Sequence, residues 1–158
     1  MLKLSAVFQE EGKITSENID LIVIENFENN IFKLIDDTFL GNYKDALIEF
    51  NHMLDAGESA LMVLTMLGKQ LSMVIKYHML RNKGYNEALI AQKLSVHPYA
   101  LKKAVSHSKK LTYKEALLLL NLCLDTDFRI KNGQIQERIG VELIIAKIYQ
   151  RIKLSETA

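Results

Sequence analysis

Apolar residues recur every three or four positions along most of the chain, most clearly over residues 43–54, 58–82 and 134–152. This spacing places apolar side chains on one face of a helix. No stretch shows the alternation of a half-buried strand flanked by hairpin turns. Glycines stand where the runs end: Gly41, Gly57, Gly84 and Gly133. Because glycine is common just past a helix end, the pattern predicts an all-α helical bundle of about five to seven helices.

The first thirty residues differ from the rest of the chain. Short helical patterns over residues 2–11 and 16–23 precede a polar stretch at residues 25–30. A polar stretch between two apolar patterns is typical of a connection. We therefore predict a domain boundary near Glu28, with residues 1–28 in one unit and a helical domain at residues 29–158.

Three details indicate how the helices pack. Thr112 and Glu115 have the spacing of a capping box, which predicts that a helix begins there. Residues 116–124 are apolar nearly all round, which predicts a central helix buried on several sides. Gly68, inside a long apolar helix, indicates the close approach of another helix.

The last helix carries more apolar side chains than one face needs. The face expected to meet the core comprises Ile135, Ile139, Leu143, Ala146 and Tyr149. Further apolar residues widen it, and similar excess occurs over residues 58–82. Candidates for an exposed surface that meets another protein, unless they belong to the core, are Met62, Met73, Met79, Val141 and Ile145.

Composition excludes disorder and shows an uneven charge. Hydrophobic residues make up 49 % of the chain and charged residues 25 %, with a single proline. Residues 1–80 carry a net charge of −6, whereas residues 81–158 carry +7. The asymmetry either marks a face for nucleic acid or an acidic partner on the second half, or lets the two halves complement each other.

The sequence supports no nucleotide, metal or catalytic site. Gly12-Lys13-Ile14-Thr15 resembles the end of a phosphate loop, but Val7 stands where that loop requires glycine. The four histidines fall on separate elements, and Cys123, the only cysteine, lies in an apolar run. We expect no catalytic residue, no metal, no cofactor and no nucleotide binding. Without a signal peptide or a membrane-length apolar run, we expect a cytoplasmic protein with no membrane partner.

Residues 89–108 have the pattern of a helix-turn-helix. The second helix and its end carry cations that could contact nucleic-acid phosphates: Lys102, Lys103, His107, Lys109 and Lys110. The turn carries Ser95 where glycine is usual, and no set of Arg, Asn or Gln is placed to read base edges. A DNA-binding motif and an ordinary helix pair with solvated lysines both remain open from the pattern.

A series of motifs resembles the delta subunits of the bacterial DNA polymerase III clamp loader. Its members are residues 30–37 (NIFKLIDD), 41–47 (GNYKDAL), 69–70 (KQ), 90–104 (IAQKLSVHPYALKKA) and 127–133 (DFRIKNG). The last is similar to an Asp-x-x-Ile-Lys-x-Gly signature, with Asn132 where threonine is common. The resemblance covers about residues 13–150.

The resemblance implies an architecture and a role. Residues 1–28 would be the end of a helical lid of an ATPase-like module, and residues 29–158 a helical collar domain. The collar would join delta to the other clamp-loader subunits, and DNA contact would not be required. The sliding clamp would be met only by an N-terminal domain that this sequence does not include, so the chain would be a fragment. No catalysis is expected of it, although the parent complex is the DNA polymerase III holoenzyme, a DNA-directed DNA polymerase.

Overall fold

The computed structural model describes residues 16–157, with side chains from residue 28 onward, and these residues form seven helices. In chain order they are α1 (Ser16–Leu40), α2 (Tyr43–Asp55), α3 (Ala60–Asn82), α4 (Glu87–Leu94), α5 (Pro98–Ser108), α6 (Tyr113–Lys131) and α7 (Glu137–Thr157). No strand occurs among the described residues. The all-α bundle predicted from the sequence is confirmed.

Helix α1 runs without interruption through the polar stretch at residues 25–30. The prediction of a break there is wrong, because the stretch contains no proline or glycine that would interrupt a helix. The chain first leaves the helix at Gly41, whose φ of 85° suits glycine. The division of domains at residue 28 stays a prediction, and the helical pattern at residues 2–11 lies outside the described residues.

The capping box at the start of α6 is confirmed. The Glu115 backbone N–H donates to Thr112 Oγ1 at 3.3 Å, and the Thr112 backbone N–H donates to Glu115 Oε2 at 2.9 Å. Two backbone donors that a helix start leaves without partners are thereby satisfied. The same helix ends beside an ion pair between residues four apart, in which Lys131 Nζ lies 2.7 Å from Asp127 Oδ2.

The centre of the main core is α3 rather than α6. Helix α3 packs against α1, α4, α5, α6 and α7, whereas α6 packs mainly on α3 and α7. Ala116, Leu119 and Cys123 of α6 are buried, but Leu117 and Leu124 are exposed. The prediction of a central helix at residues 116–124 is therefore wrong: that helix lies at the edge of the bundle.

The buried face of α7 also differs from the predicted one. Val141, Ile144, Ile145, Ile148 and Ile152 are buried, while Ile139 and Leu143 are exposed. A face other than the predicted one turns inward because Gly140 lies against α6. A Cβ at Gly140 would stand 2.9 Å from Ile130 Cδ1.

Of the candidates for excess apolar surface, Val141 and Ile145 thus belong to the core. Met73 is half-buried, and Met62 and Met79 are exposed. Gly68 is not a point of close approach, because a Cβ there would meet only Leu120 Cδ1 at 3.8 Å.

A second, smaller core joins α4 and α5 to the far end of α3. Its buried members are Tyr77, Ile90 and Leu101. Half-buried residues around it include Leu80, Tyr85, Leu94 and Val96. The pair α4–α5 thus forms a small lobe on the side of a larger bundle.

Candidate functional site

Four polar side chains from three helices meet where α5 lies on the main bundle. They are Asp36 of α1, Gln70 of α3, and Lys103 and His107 of α5. Gln70 Nε2 lies 2.8 Å from His107 Nδ1, and Lys103 Nζ forms an ion pair with an oxygen of Asp36. The ring of Phe39 stacks on the imidazole with 4.9 Å between centroids. The cluster links the α4–α5 lobe to the main bundle.

His107 is buried as a neutral ring. The Gln70 amide nitrogen donates to Nδ1 of His107. The ring proton of His107 is therefore on its Nε2. Nε2 lies 3.2 Å from Asp36 Oδ1 but outside hydrogen-bond geometry. Burial of the imidazole lowers the pKa of His107 to about 4, against the opposing effect of the Asp36 carboxylate. The interpretation of His107 as a phosphate contact is wrong, because its side chain is 1 % exposed.

A hollow of about 280 Å³ opens beside this cluster. Its lining comprises Phe32, Ile35, Asp36, Gln70, His97, Tyr99, Ala100, Lys103 and His107. A second hollow of about 520 Å³ adjoins it and shares Phe32, Asp36 and Tyr99 with it. Asp37 lines only the second hollow. Together the hollows form a groove between α1 and the N-terminal half of α5.

The four lysines proposed for nucleic-acid contact divide into two pairs. Lys103 is held by Asp36, which raises the pKa of its ammonium, and Lys110 Nζ lies 2.6 Å from Glu156 Oε1. The hydrogen bonds from Lys110 and Lys153 lower the pKa of Glu156 to about 2. Lys102 and Lys109 are exposed and form no ion pair among the described residues. Only this second pair is available to a ligand without breaking a contact.

A turn of three residues, 95–97, joins helices α4 and α5. Ser95 takes a left-handed conformation with a φ of 51°, and Pro98 occupies the first position of α5. His97 caps α5 by accepting the Tyr99 backbone N–H on its Nδ1 at 3.1 Å. Two helices and a turn therefore occur where the sequence pattern places them, whereas a DNA-binding helix-turn-helix stays a prediction.

The largest group of exposed apolar side chains lies on α6 and α7. These helices carry eight of the fifteen large hydrophobic side chains that are exposed, including Leu124 and Phe128 at 61 % each. Leu117, Leu124 and Phe128 share one face of α6 by their spacing of seven and four residues. Leu143 of α7, at 50 %, adds to the apolar area on the neighbouring helix.

A groove of about 390 Å³ separates this face from α3. Its walls come from both helices: Leu64, Thr65, Gly68, Lys69 and Ser72 of α3, and Leu120, Cys123, Leu124, Asp127 and Lys131 of α6. An apolar face beside a groove is typical of a surface that meets another protein. Sequence reasoning missed this surface because it interpreted the leucines of α6 as core.

The remaining chemistry is sparse in the described residues. Burial raises the pKa of the Cys123 thiol to about 12, so it packs as a small apolar side chain. Between residues 28 and 157, no three His, Cys, Asp or Glu side chains are grouped to hold a metal ion. No helix in the described part of the chain is both long and apolar enough to cross a membrane.

Comparison with known proteins gives consistent matches. The family described as DNA polymerase III delta subunit, C-terminal domain, matches residues 28–148. The DNA polymerase III subunit delta of Bacillus subtilis (strain 168) is 24 % identical over an alignment 158 positions long, and the alignment covers 94 % of this chain and 46 % of that protein. A solved structure, the Bacillus subtilis DNA clamp loader delta protein, matches with a TM-score of 0.75 and 22 % identity over 94 % of this chain and 44 % of the other. The chain thus spans less than half the length of these relatives.

Proposed function

The chain belongs to the family of C-terminal domains of DNA polymerase III delta subunits, and we propose that it acts as a collar that holds a delta subunit among the other subunits of a clamp loader. Its work is protein–protein association in support of sliding-clamp loading. Contact with the sliding clamp falls to the N-terminal domain of a delta subunit, and this chain itself performs no catalysis. The setting is the bacterial cytoplasm.

The exposed apolar face of α6 and α7 is the observation that carries this proposal. Leu117, Leu124 and Phe128 expose apolar side chains to solvent on one face of α6, as is common at surfaces that meet other proteins. Burying such side chains contributes roughly 25 cal/mol for each Å² removed from water. The groove beside them offers space for side chains of a neighbouring subunit.

The geometry of the contact follows from the assembly. Different subunits that meet side by side in a ring use unlike faces, so the contact is head-to-tail rather than two-fold. A stable interface of this kind buries on the order of 1,200 Å² or more. The face of α6 alone would be too small, so α7 or the edge of α3 takes part as well.

A pull-down tests the proposal. The 158-residue chain is immobilised and mixed with the ATPase subunits of the loader from the same organism, either intact or without their own C-terminal domains. We expect capture of the intact subunits and loss of capture after truncation. No association with the intact subunits, or equal association with both forms, would refute the collar role.

A DNA-binding role for α4–α5 is the second candidate function. Residues 81–110 contain seven Lys or Arg and one acidic residue, and Lys102 and Lys109 are exposed. Phosphate contacts of this kind give an affinity that falls steeply with salt. The candidate requires that Lys102→Ala with Lys109→Ala flatten the salt dependence of duplex binding. Absence of duplex binding at low salt would remove it.

A further inference from the structure

The groove between α1 and α5 contains a hollow of a size that suits one aromatic side chain. Its walls are mainly apolar, formed by Phe32, Ile35, Tyr99 and Ala100, and His107 lies at its polar end. Its volume of about 280 Å³ is roughly twice the ~150 Å³ that suffices for a benzene-sized ring. The side chain of one phenylalanine or tyrosine would therefore fit in the hollow.

The rim of the hollow consists of two exposed aromatic side chains. Phe32 is 54 % exposed and Tyr99 59 %, and they stand on different helices that face each other across the groove. Lys103 Nζ lies 5.5 Å from the centre of the Tyr99 ring, on the side of the ion pair with Asp36. Aromatic residues placed in this way are enriched where proteins meet other proteins.

Asp37 supplies a charge at the other end of the groove. Its Oδ2 is buried and has no hydrogen-bond partner among the described residues, while Oδ1 accepts from Asn42 Nδ2 at 3.2 Å. No cation forms an ion pair with it there, because the nearby Lys33 Nζ binds Glu49 Oε2 at 2.6 Å. Because Oδ2 is shielded from solvent, a ligand can reach this carboxylate only where Asp37 lines the second hollow, and a cationic donor would neutralise its charge there.

We propose that this groove binds a partner polypeptide through an aromatic side chain that enters the hollow beside His107 and an adjacent arginine that pairs with Asp37. The guanidinium matches both requirements of the second hollow: it donates to a carboxylate and stacks on Tyr99 or Phe32. Nucleic acid is a poorer ligand here, because the carboxylate of Asp37, which has no ion pair among the described residues, repels phosphates. The groove is separate from the α6–α7 face, and the inference does not depend on the collar role.

Short peptides of defined sequence can test the site on the intact chain. N-acetyl-Phe-Arg-amide is titrated into the 15N-labelled 158-residue protein, with N-acetyl-Phe-Glu-amide and N-acetyl-Gly-Arg-amide as comparisons. We expect Phe-Arg to shift the amide signals of residues 32–37 and 97–107 and to bind in the millimolar range. Each comparison peptide lacks one of the two contacts, so we expect it to bind at least threefold more weakly.

Two substitutions locate the contacts. Asp37→Asn should abolish the preference for Phe-Arg over Phe-Glu, and Ala100→Leu should block the hollow from the surface of α5. Phe128→Ala is the matched control, since it removes an equally exposed aromatic ring from α6. The proposal is overturned if Phe-Arg causes no localised shifts, if Ala100→Leu leaves them unchanged, or if an oligothymidylate shifts these residues while the peptides do not.

Discussion

The main bundle and the α4–α5 lobe differ in the size of their apolar cores and in how far they depend on polar contacts. The main bundle shares one continuous core that draws buried side chains from α1, α2, α3, α6 and α7. The lobe has a core of only Tyr77, Ile90 and Leu101 with half-buried neighbours. It gains further attachment from Asp36, Gln70, Lys103 and His107, which are polar.

This difference indicates how stability is distributed. Buried apolar area dominates the free energy of unfolding, so the main bundle should open only when the whole domain unfolds. A lobe with few buried side chains and a polar attachment should open at a lower free energy. A unit of this kind can adjust to a partner while the bundle keeps its shape.

The strongest test of this comparison is to create a cavity in each core. Phe50→Ala in α2 removes a fully buried ring and should lower the free energy of global unfolding by about 3–5 kcal/mol. Ile90→Ala in α4 should accelerate amide exchange in α4 and α5 while slow exchange in α1, α3 and α6 persists. Chemical denaturation and hydrogen exchange by NMR measure the two effects. Equal acceleration in every helix would show that the lobe and bundle unfold as one unit.

Acid should weaken the attachment between lobe and bundle through His107. Its pKa of about 4 in the folded protein lies below its ordinary 6.5, so the unfolded chain binds the extra proton first. The stabilisation is therefore complete above pH 6.5 and is lost as the pH falls toward 4, by about 3 kcal/mol at most. Urea unfolding at several pH values should show a smaller loss over this window in His107→Gln. The same change at the exposed His52 is the control, and an unchanged pH dependence in His107→Gln would contradict the prediction.

Two glycines distinguish tight from loose packing inside the main bundle. Gly140→Ala should cost about 1–3 kcal/mol, because its Cβ would meet Ile130 and Thr126 at 3.0 Å or less. Gly68→Ala should instead stabilise the fold by about 0.5–1 kcal/mol, because alanine favours a helix interior and the site has room. Thermal unfolding compares the two variants. A stabilising Gly140→Ala would show that α6 and α7 can separate easily.

The smallest expected effect concerns two neighbouring lysines of α5. Lys103→Ala breaks the half-exposed pair with Asp36 and should cost about 1 kcal/mol or less. Lys102→Ala removes an exposed lysine and should change stability by less than about 0.5 kcal/mol. Amide exchange in α5 offers the more sensitive comparison. A larger effect at Lys102 would mean that the ion pair does not hold the lobe.

Helix positions could be predicted from the sequence because their signals are local. Glycines with positive φ end α1, α2 and α3, and the Thr112–Glu115 capping box begins α6. The break expected at residues 25–30 failed because polar composition alone does not stop a helix. Only a residue that disfavours the helical backbone or a competing cap does so.

Helix faces were harder to predict, because they depend on which helix lies at the centre. Leucines on all sides of α6 were interpreted as core, although the helix lies at an edge and exposes Leu117 and Leu124. On α7, the small volume of Gly140 lets α6 approach and so selects which of two apolar faces turns inward. The contact between Gln70 and His107 spans 37 residues of sequence and gave no pattern to detect.

The collar role rests on the apolar face of α6, and an affinity measurement tests it most directly. Isothermal titration calorimetry would compare the intact chain with Leu124→Ser/Phe128→Ser for binding to the loader's ATPase subunits. The control is Ile48→Ser/Leu89→Ser, which removes two exposed apolar side chains from α2 and α4. We predict at least a tenfold rise in Kd for the α6 variant, about 1.4 kcal/mol or more, and less than threefold for the control. Equal changes in the two variants, or none in the α6 variant, would contradict the assignment of this face.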